Sequence, residues 1–327
     1  MESKARISAI GSYVPDKRLT NHDLEKMVDT NDEWIVQRTG MRERRIAAPG
    51  EFTSHMCISA VQNMMTEYGV SVDDVDLILT ATNTPDLPFP TVSCLVQAHF
   101  GIPSTGALDL NATCAGFVYA LHTANAFVTA GLHRKILVLG ADHMSAITDY
   151  TDRTTCILLG DGAGAALVER VAAEDAGAFI GHHLGSDGKG GIHLYRAGLS
   201  DTLEDKLLAG AGKLVQNGRE VYKFAVGTVP KGVHALLESS GVDSSEIDWF
   251  IPHSANLRII ESLCERAGIP MDRTLYSLEY YGNTSAATIP LSIHMGVREG
   301  KIKPGDLLML YGFGGGLVHG GLLVRWG

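Results

Sequence analysis

The chain is 327 residues long, 45% hydrophobic and 20% charged, with a formal net charge of −10 at pH 7. This length implies two domains, or two halves of one fold, around a large core, and the composition argues against long disordered tracts. The acidic balance disfavours nonspecific attraction to nucleic acid, and five scattered cysteines with no C-x-x-C pair form neither a disulfide framework nor a zinc site, which fits a reducing, cytoplasmic setting and no bound metal.

Residues 1–6 are charged and lead directly into a strand-like run, without the apolar region of a secretory signal. Arg38, Arg42, Arg44 and Arg45 follow as a basic cluster, which in an acidic chain reads first as a solvated, salt-bridged face. Apolar runs at 77–81, 107–110, 136–140 and 156–159 have the length of buried strands, and helical patterns occupy 55–68, 91–100 and 114–130. Such alternation predicts an α/β protein with buried, largely parallel strands and helices on both faces of its sheets. The most apolar helix, 114–130, contains His122, Thr123 and Asn125. It falls short of the roughly 18 continuous apolar residues of a membrane span, so no membrane insertion is expected.

The second half of the chain repeats the first. Gly69-Val70 and Asp76-Leu77-Ile78-Leu79 align with Gly241-Val242 and Asp248-Trp249-Phe250-Ile251, at a spacing of 241 − 69 = 172. Asn111-Ala112-Thr113 aligns with Asn283-Thr284-Ser285, and 136–140 with 308–312, at the same spacing. Gly101-Ile102-Pro103 resembles Gly268-Ile269-Pro270 after a small change in length. A duplicated α/β unit predicts two similar halves across a pseudo-twofold axis, with equivalent loops meeting at one site between them. In this alignment Cys114 lies opposite Ala286 and Ala81 opposite His253, so the halves carry different chemistry.

Three strand-to-helix turns hold the reactive residues. Asp109-Leu110-Asn111-Ala112-Thr113-Cys114-Ala115-Gly116-Phe117 places Cys114 at a helix N-terminus, where unpaired amides and the helix dipole favour a thiolate and can bind an oxyanion. Most lone cysteines are small buried hydrophobes, the reading kept for Cys57, Cys94, Cys156 and Cys264. Ile251-Pro252-His253-Ser254-Ala255-Asn256-Leu257-Arg258 puts His253 at the C-terminal end of a strand, where α/β sites form; a satisfied core histidine is the alternative. In Tyr281-Gly282-Asn283-Thr284-Ser285-Ala286-Ala287, Asn283 either caps its helix or serves a site. The glycine runs at 160–164 and 312–316 have neither the spacing and Lys-Ser/Thr ending of a P-loop nor a dinucleotide-site context, so they read as tight turns and close packing.

Together the three turns resemble the β-ketoacyl-[acyl-carrier-protein] synthase III family, whose Cys-His-Asn triad occurs in the contexts N-x-x-C-A-G-F, P-H-x-A-N-x-R-I and G-N-T-S-A-A. The likeness spans nearly the whole chain, including Asn31-Asp32-Glu33-Trp34-Ile35, Arg38-Thr39-Gly40, Glu43-Arg44-Arg45-Ile46, Gly160-Asp161-Gly162-Ala163-Gly164 and Gly312-Phe313-Gly314-Gly315-Gly316. It implies a thiolase-like fold whose duplicated halves, 1–172 with the nucleophilic cysteine and 173–327 with the histidine and asparagine, form a layered α/β/α/β/α sandwich. The implied activity is that of an acyltransferase joining a short acyl-CoA to malonyl-[acyl-carrier-protein] by decarboxylative Claisen condensation, which initiates fatty acid biosynthesis. The resemblance further implies a cytoplasmic homodimer that needs no cofactor beyond its thioester substrates.

Carried over by resemblance, Cys114, His253 and Asn283 are catalytic, and the backbone amides of Cys114 and Gly314 bind the oxyanion. Trp34 and Arg153 meet the adenine of CoA and Arg38 its phosphate, with Thr30, Gly218, Tyr222, Ala255, Asn256 and Phe313 completing that site. Phe89, in Pro88-Phe89-Pro90, lines the acyl pocket of a partner subunit. The carrier protein docks on Ser254, Ala255, Asn256, Leu257 and Arg258, with Lys223 nearby; exposed solubilising charge is the alternative for Arg258 and, more strongly, for Lys223. The sequence departs from the common pattern at Ser254, where Gln is frequent, at Thr113, where a smaller residue is common, and at His319, where Trp often follows the glycine run. These departures bear on acyl preference and leave the triad intact, and acetyl and short branched primers are both compatible.

A biosynthetic thiolase needs a second cysteine near its C-terminus, whereas the last one here is Cys264; elongating synthases use two histidines. A related condensing enzyme of specialised metabolism is the alternative within the class. Outside it stand a Cys-His-Asn hydrolase, which passes its acyl group to water, and a noncatalytic CoA- or carrier-binding protein, which is never acylated.

Overall fold

Buried apolar runs build two sheets in the computed structural model, which describes residues 2–327. The first half runs β1 (Ala5–Tyr13), α1 (Asp32–Thr39), α2 (Thr53–Tyr68), β2 (Leu77–Ala81), α3 (Val92–Phe100), β3 (Gly106–Leu110), α4 (Gly116–Thr129), β4 (Lys135–His143) and β5 (Asp161–Arg170). The second runs β6 (Phe179–Ser186), α5 (Gly218–Ser240), β7 (Trp249–Pro252), α6 (Leu257–Ala267), α7 (Thr288–Arg298), β8 (Leu307–Gly314) and β9 (Val318–Arg325). The strand orders are β1-β5-β4-β2-β3 and β7-β8-β9-β6.

The sheets are mixed rather than largely parallel: β2 is parallel to β3 and β4, and β7 to β8, but β1, β5, β6 and β9 run antiparallel to their neighbours. The link from β8 to β9 shows why, since residues 315–317 can return the chain only to an antiparallel partner. A second expectation also changes. Residues 156–159 are buried but form turns with a single bridge from Leu159 to Asn283, because this segment packs around Arg44 instead of entering a sheet.

The duplication is written in the pairing register. Leu77 faces Ile136 in the first sheet and Trp249 faces Leu308 in the second, so both members of the pair recur at the spacing of the sequence repeat. A bulge leaves Ser8 unpaired between Ile7 and Ala9, and its counterpart leaves Ile180 unpaired between Phe179 and Gly181. Bulges are specified features of a strand, so two at equivalent places mark one unit used twice. Gly69 and Gly241, at φ 63° and 66°, end α2 and α5 in the left-handed conformation that glycine adopts without strain.

Helices α4 and α7 form the middle layer, each touching both sheets, while α2 and α3 cover the outer face of the first sheet and α5 and α6 that of the second. The result is the expected five-layer sandwich. Every residue of β2 and β8 is buried, as strands covered on both faces require. Phe117, Leu121, Ile289 and Ile293 of the middle layer pack with Leu79, Val138, Ile251 and Leu310 from both sheets in one apolar cluster. Among the described residues no helix is long and apolar enough to cross a membrane.

Candidate active site

Two equivalent turns meet at the centre of the molecule. After β3 the chain makes a 3-10 turn over Thr113–Ala115 before α4, and after Asn283 it makes another over Ser285–Ala287 before α7. Each turn packs against the central strand of the other half, the first on β8 and the second on β4. Glycines permit the approach: a Cβ on Gly314 would stand 2.9 Å from the Cys114 amide nitrogen, and one on Gly140 would stand 2.7 Å from the Ala286 oxygen. Both turns open on a residue with positive φ, Thr113 at 45° and Ser285 at 53°. In each, an asparagine two residues earlier accepts that residue's amide hydrogen, Asn111 from Thr113 at 3.1 Å and Asn283 from Ser285 at 2.9 Å.

The last bond fixes the orientation of the Asn283 amide. Its side-chain oxygen is committed to the turn, so both hydrogens of its Nδ2 remain available to the cleft that it lines. The Asn283 backbone is fixed by the segment that was expected to be a strand, with its N–H donating to Leu158 O at 2.8 Å and its carbonyl accepting from Gly160 N at 3.1 Å. Arg44 braces the same segment. Its guanidinium is fully buried, donates to Ile157 O and to Asn21 Oδ1, and is pushed down to about 10 by burial. The arginine cluster is therefore not one solvated face: Arg42 pairs with Glu279 at 2.9 Å and Arg45 with Glu43 at 3.7 Å, Arg38 lies over Trp34, and Arg44 is core.

His253 follows β7, with its amide donating to Tyr311 O at 2.8 Å and its ring edge-on to Phe313 at 5.1 Å. Burial pushes its pKa down to about 3, so the ring is neutral at any pH near 7. Nδ1 lies 2.8 Å from Thr288 Oγ1, which also reaches Ser285 O at 3.0 Å. When Thr288 gives its hydrogen to Nδ1, Nε2 carries the ring proton and is a donor; when it gives it to Ser285 O, Nε2 is an acceptor.

Cys114 sits in the wall between two cavities. A cleft of about 410 Å³ is lined by Cys114, His253, Asn283, Phe313 and Gly314 at its base. A second cavity of about 380 Å³ shares Cys114 and Asn283; Met144, Ile147, Leu159 and Leu214 line it together with the polar Asn83, Asn111, Arg196 and Gln216. Burial pushes the thiol up to about 12; Ser285 and the Cys114 amide oppose the rise, while Asp142 adds to it. The amide at the start of the helix thus opposes burial without reversing its direction, which favours the thiol.

At the mouth of the cleft, Arg38 and Arg153 lie 5.7 and 5.0 Å from the centre of the Trp34 ring. Gly218, Tyr222, Ala255, Asn256 and Arg258 also line the cleft. Asn256 caps α6 through Arg258 N at 2.9 Å and donates to Arg38 O at 3.2 Å, tying the two edges of the mouth together. Other residues singled out from sequence lie elsewhere. Ser254 is fully buried and its hydroxyl oxygen receives Ser277 N at 3.0 Å, so it presents no surface to a docking protein. Leu257 packs on Gly40, Thr30 lies outside the cleft with a buried Oγ1 that has no hydrogen-bond partner among the described residues, and Lys223 pairs with Glu220 at 2.7 Å on the surface of α5. Phe89 is 84% exposed on its loop. The sequence reading passed over Asn83, Asp142, Ser285 and Thr288, although the repeat places Asp142 opposite Gly314 and by itself points to it.

Two duplicated α/β halves with a cysteine, a histidine and an asparagine on the turns between them define a condensing enzyme of the thiolase-like class. Residues 108–188 match the family model for 3-oxoacyl-[acyl-carrier-protein (ACP)] synthase III and residues 237–326 match its C-terminal model. The chain is 61% identical over 324 residues to the beta-ketoacyl-[acyl-carrier-protein] synthase III 2 of Halalkalibacterium halodurans, covering 99% of this chain and 97% of that one. It is 56% identical to the protein of the same name from Bacillus subtilis, with 99% of each covered. The crystal structure of beta-ketoacyl-[acyl carrier protein] synthase III from Thermus thermophilus superposes with a TM-score of 0.94 at 43% identity, over 98% of this chain and 99% of that one. The chain belongs to the 3-oxoacyl-[acyl-carrier-protein] synthase III family.

Proposed function

We propose that the chain condenses a short acyl-CoA with malonyl-[acyl-carrier-protein] to start fatty acid synthesis, with Cys114 as nucleophile and His253 and Asn283 as donors to the malonyl thioester oxygen. In the first half-reaction the Cys114 sulfur bonds to the acyl carbon, the bond from that carbon to the CoA sulfur breaks, and the thiol proton ends on the departing CoA. The amides of Cys114 and Gly314 hold the oxyanion of the tetrahedral intermediate. In the second half-reaction the malonyl carboxylate leaves as carbon dioxide and its electron pair forms an enolate. The enolate carbon then bonds to the acyl carbon as the Cys114 thiolate departs. Loss of carbon dioxide makes the sequence effectively irreversible.

One observation carries this reading: Cys114, His253 and Asn283 line a single cleft, and Cys114 and Asn283 also wall a second cavity that Met144, Ile147, Leu159 and Leu214 help to line. That arrangement gives the thioester an approach from one side and the acyl chain a place on the other. Neutral His253 and the free Nδ2 of Asn283 supply donors without bringing a second charge to the thiol. Trp34, Arg38 and Arg153 offer a stacking face and cations for a nucleotide at the mouth. Arg258, exposed beside them, offers charge to an acidic carrier protein. The same reading includes a division of the halves at residues 172 and 173, a cytoplasmic enzyme working on its thioester substrates alone, and a homodimer in which exposed Phe89 helps line the acyl pocket of the partner subunit.

The test is intact mass of wild type and Cys114→Ala after exposure to straight and branched short acyl-CoAs, followed by malonyl-carrier protein. Acylation that needs Cys114 and discharges into a β-ketoacyl-carrier product is expected. Discharge into water identifies a hydrolase, and no acylation identifies a binding protein.

A further inference from the structure

The turn after Asn283 brings one more functional group to the reacting sulfur. Ser285 is fully buried and its hydroxyl donates to Cys114 Sγ at 3.3 Å. A hydroxyl has a single hydrogen, and its direction depends on what its oxygen receives. Here Asn83 Nδ2 donates one hydrogen to Ser285 Oγ at 3.1 Å and the other to Asp142 Oδ2 at 3.0 Å. Rotating the Asn83 amide would press its oxygen against a carboxylate, so the amide has one orientation, and the single Ser285 hydrogen has the Cys114 sulfur at hydrogen-bond distance, with the Asp142 carboxylate as its competing acceptor.

Asp142 is the fixed end of this chain. It is fully buried at the end of β4 and also accepts from Thr82 Oγ1 at 3.0 Å, Thr84 Oγ1 at 2.9 Å, Asn83 N at 2.8 Å and Ala286 N at 3.2 Å. Burial pushes the Asp142 carboxyl up from its ordinary range, but a protonated carboxyl would face donors on every side, so these contacts fit the carboxylate. The duplicated turn shows that the serine contact is not a requirement of the backbone. Thr113, the counterpart of Ser285, sits at nearly the same φ and donates instead to Gly315 O at 2.8 Å.

We propose that Ser285 is a further catalytic residue, donating a hydrogen bond to the Cys114 sulfur in the steps that place negative charge on it, and that Asn83 and Asp142 are the residues that position this donor. Charge grows on the sulfur when it attacks acyl-CoA and again when it leaves the acyl group during condensation. Malonyl decarboxylation places its charge on the enolate oxygen instead. A hydrogen bond to a charged group that forms fully only in the transition state is worth about ten- to a hundredfold in rate. The inference rests on Cys114 being the nucleophile.

The experiment measures single-turnover acylation by acyl-CoA, read by rapid quench and intact mass, and carbon dioxide release from malonyl-carrier protein. Wild type, Ser285→Ala, Ser285→Thr and Asn83→Ala are compared, each with a thermal melt. The expected result is that acylation by Ser285→Ala falls at least tenfold further than its decarboxylation, that Ser285→Thr recovers most of the loss, and that Asn83→Ala shifts the same ratio in the same direction by less. Threonine is a fair conservative probe because Thr113 already occupies the equivalent left-handed position. Equal loss of both half-reactions, or a selective loss that threonine does not recover, assigns the serine to packing and overturns the proposal. Acylation of Ser285→Ala within twofold of wild type overturns it alone; failure of the wild type to be acylated at Cys114 overturns the functional reading with it.

Discussion

Gly314 is where the geometry makes its sharpest demand. Replacing it by alanine puts a Cβ 2.7 Å from Thr113 Oγ1 and 2.9 Å from both Cβ and N of Cys114. Since carbon contacts settle near 3.5–4.0 Å, relief requires β8 and the Cys114 turn to part by roughly 0.5–1 Å. The Cys114 and Gly314 amides then no longer converge on one oxygen. Loss of one oxyanion donor slows acyl transfer by about 10²–10³-fold, and a misplacement of about 1 Å alone is worth about 10²-fold. Overpacking destabilises by about 1–3 kcal/mol, well inside the about 5–15 kcal/mol of a typical domain, so Gly314→Ala stays folded. Rapid-quench intact mass with a saturating acyl-CoA reads the acylation rate, and a thermal melt monitors the fold. Acylation within threefold of wild type in a folded variant would refute the placement of the oxyanion between these two amides.

Asn283→Ala should slow carbon dioxide release from malonyl-carrier protein by about 10²-fold or more and acylation of Cys114 much less; equal losses would remove Asn283 from its role as enolate donor. Because the Cys114 thiol is pushed up to about 12, its thiolate fraction should rise about tenfold per pH unit between pH 7 and 9. Alkylation by iodoacetamide should follow that slope, and a plateau below pH 8 would show the helix amides and Ser285 outweighing burial and Asp142. Gly232→Ala gains up to about 1 kcal/mol of helix propensity in α5, but its Cβ lands on the hydroxyl of fully buried Tyr311. The clash should win by about 1–3 kcal/mol, read as a lower urea midpoint at unchanged slope, and an unchanged midpoint would mean that the Tyr311–His319 pair repacks freely.

What the sequence revealed and what it hid divide along physical lines. The 77–81 run became β2 residue for residue, because a strand buried on both faces needs every side chain apolar and leaves that signature. The internal repeat carried even further, predicting which loops meet and therefore where Cys114, His253 and Asn283 converge. Residues 156–159 have the same apolar signature yet do not pair as a strand, since burial does not record hydrogen-bond partners. Arg44 was hidden for a related reason. A charge run gives no direction, and only the fold shows a guanidinium turned inward to brace Ile157. Ser254 reads as docking surface only because the resembled segment includes it, whereas it lies buried beside buried His253 with its hydroxyl oxygen taken by Ser277 N. Asn83, Asp142 and Thr288 act through contacts made 59 to 202 positions along the chain, or through a ring nitrogen, and none belongs to a motif.

The contact between Asp142 and the Ala286 amide has a consequence for stoichiometry. Ala286 is the counterpart of Cys114, and Asp142, which the repeat sets opposite Gly314, is the counterpart of the second amide donor. In the half with alanine in place of the cysteine, a carboxylate of the protein's own therefore occupies the neighbourhood that the proposed reaction reserves, in the other half, for a transient negative charge. One of the two symmetry-related vacancies is permanently filled from within. An anionic mimic of the tetrahedral oxyanion should accordingly saturate each chain at a single equivalent, however symmetric the scaffold around it.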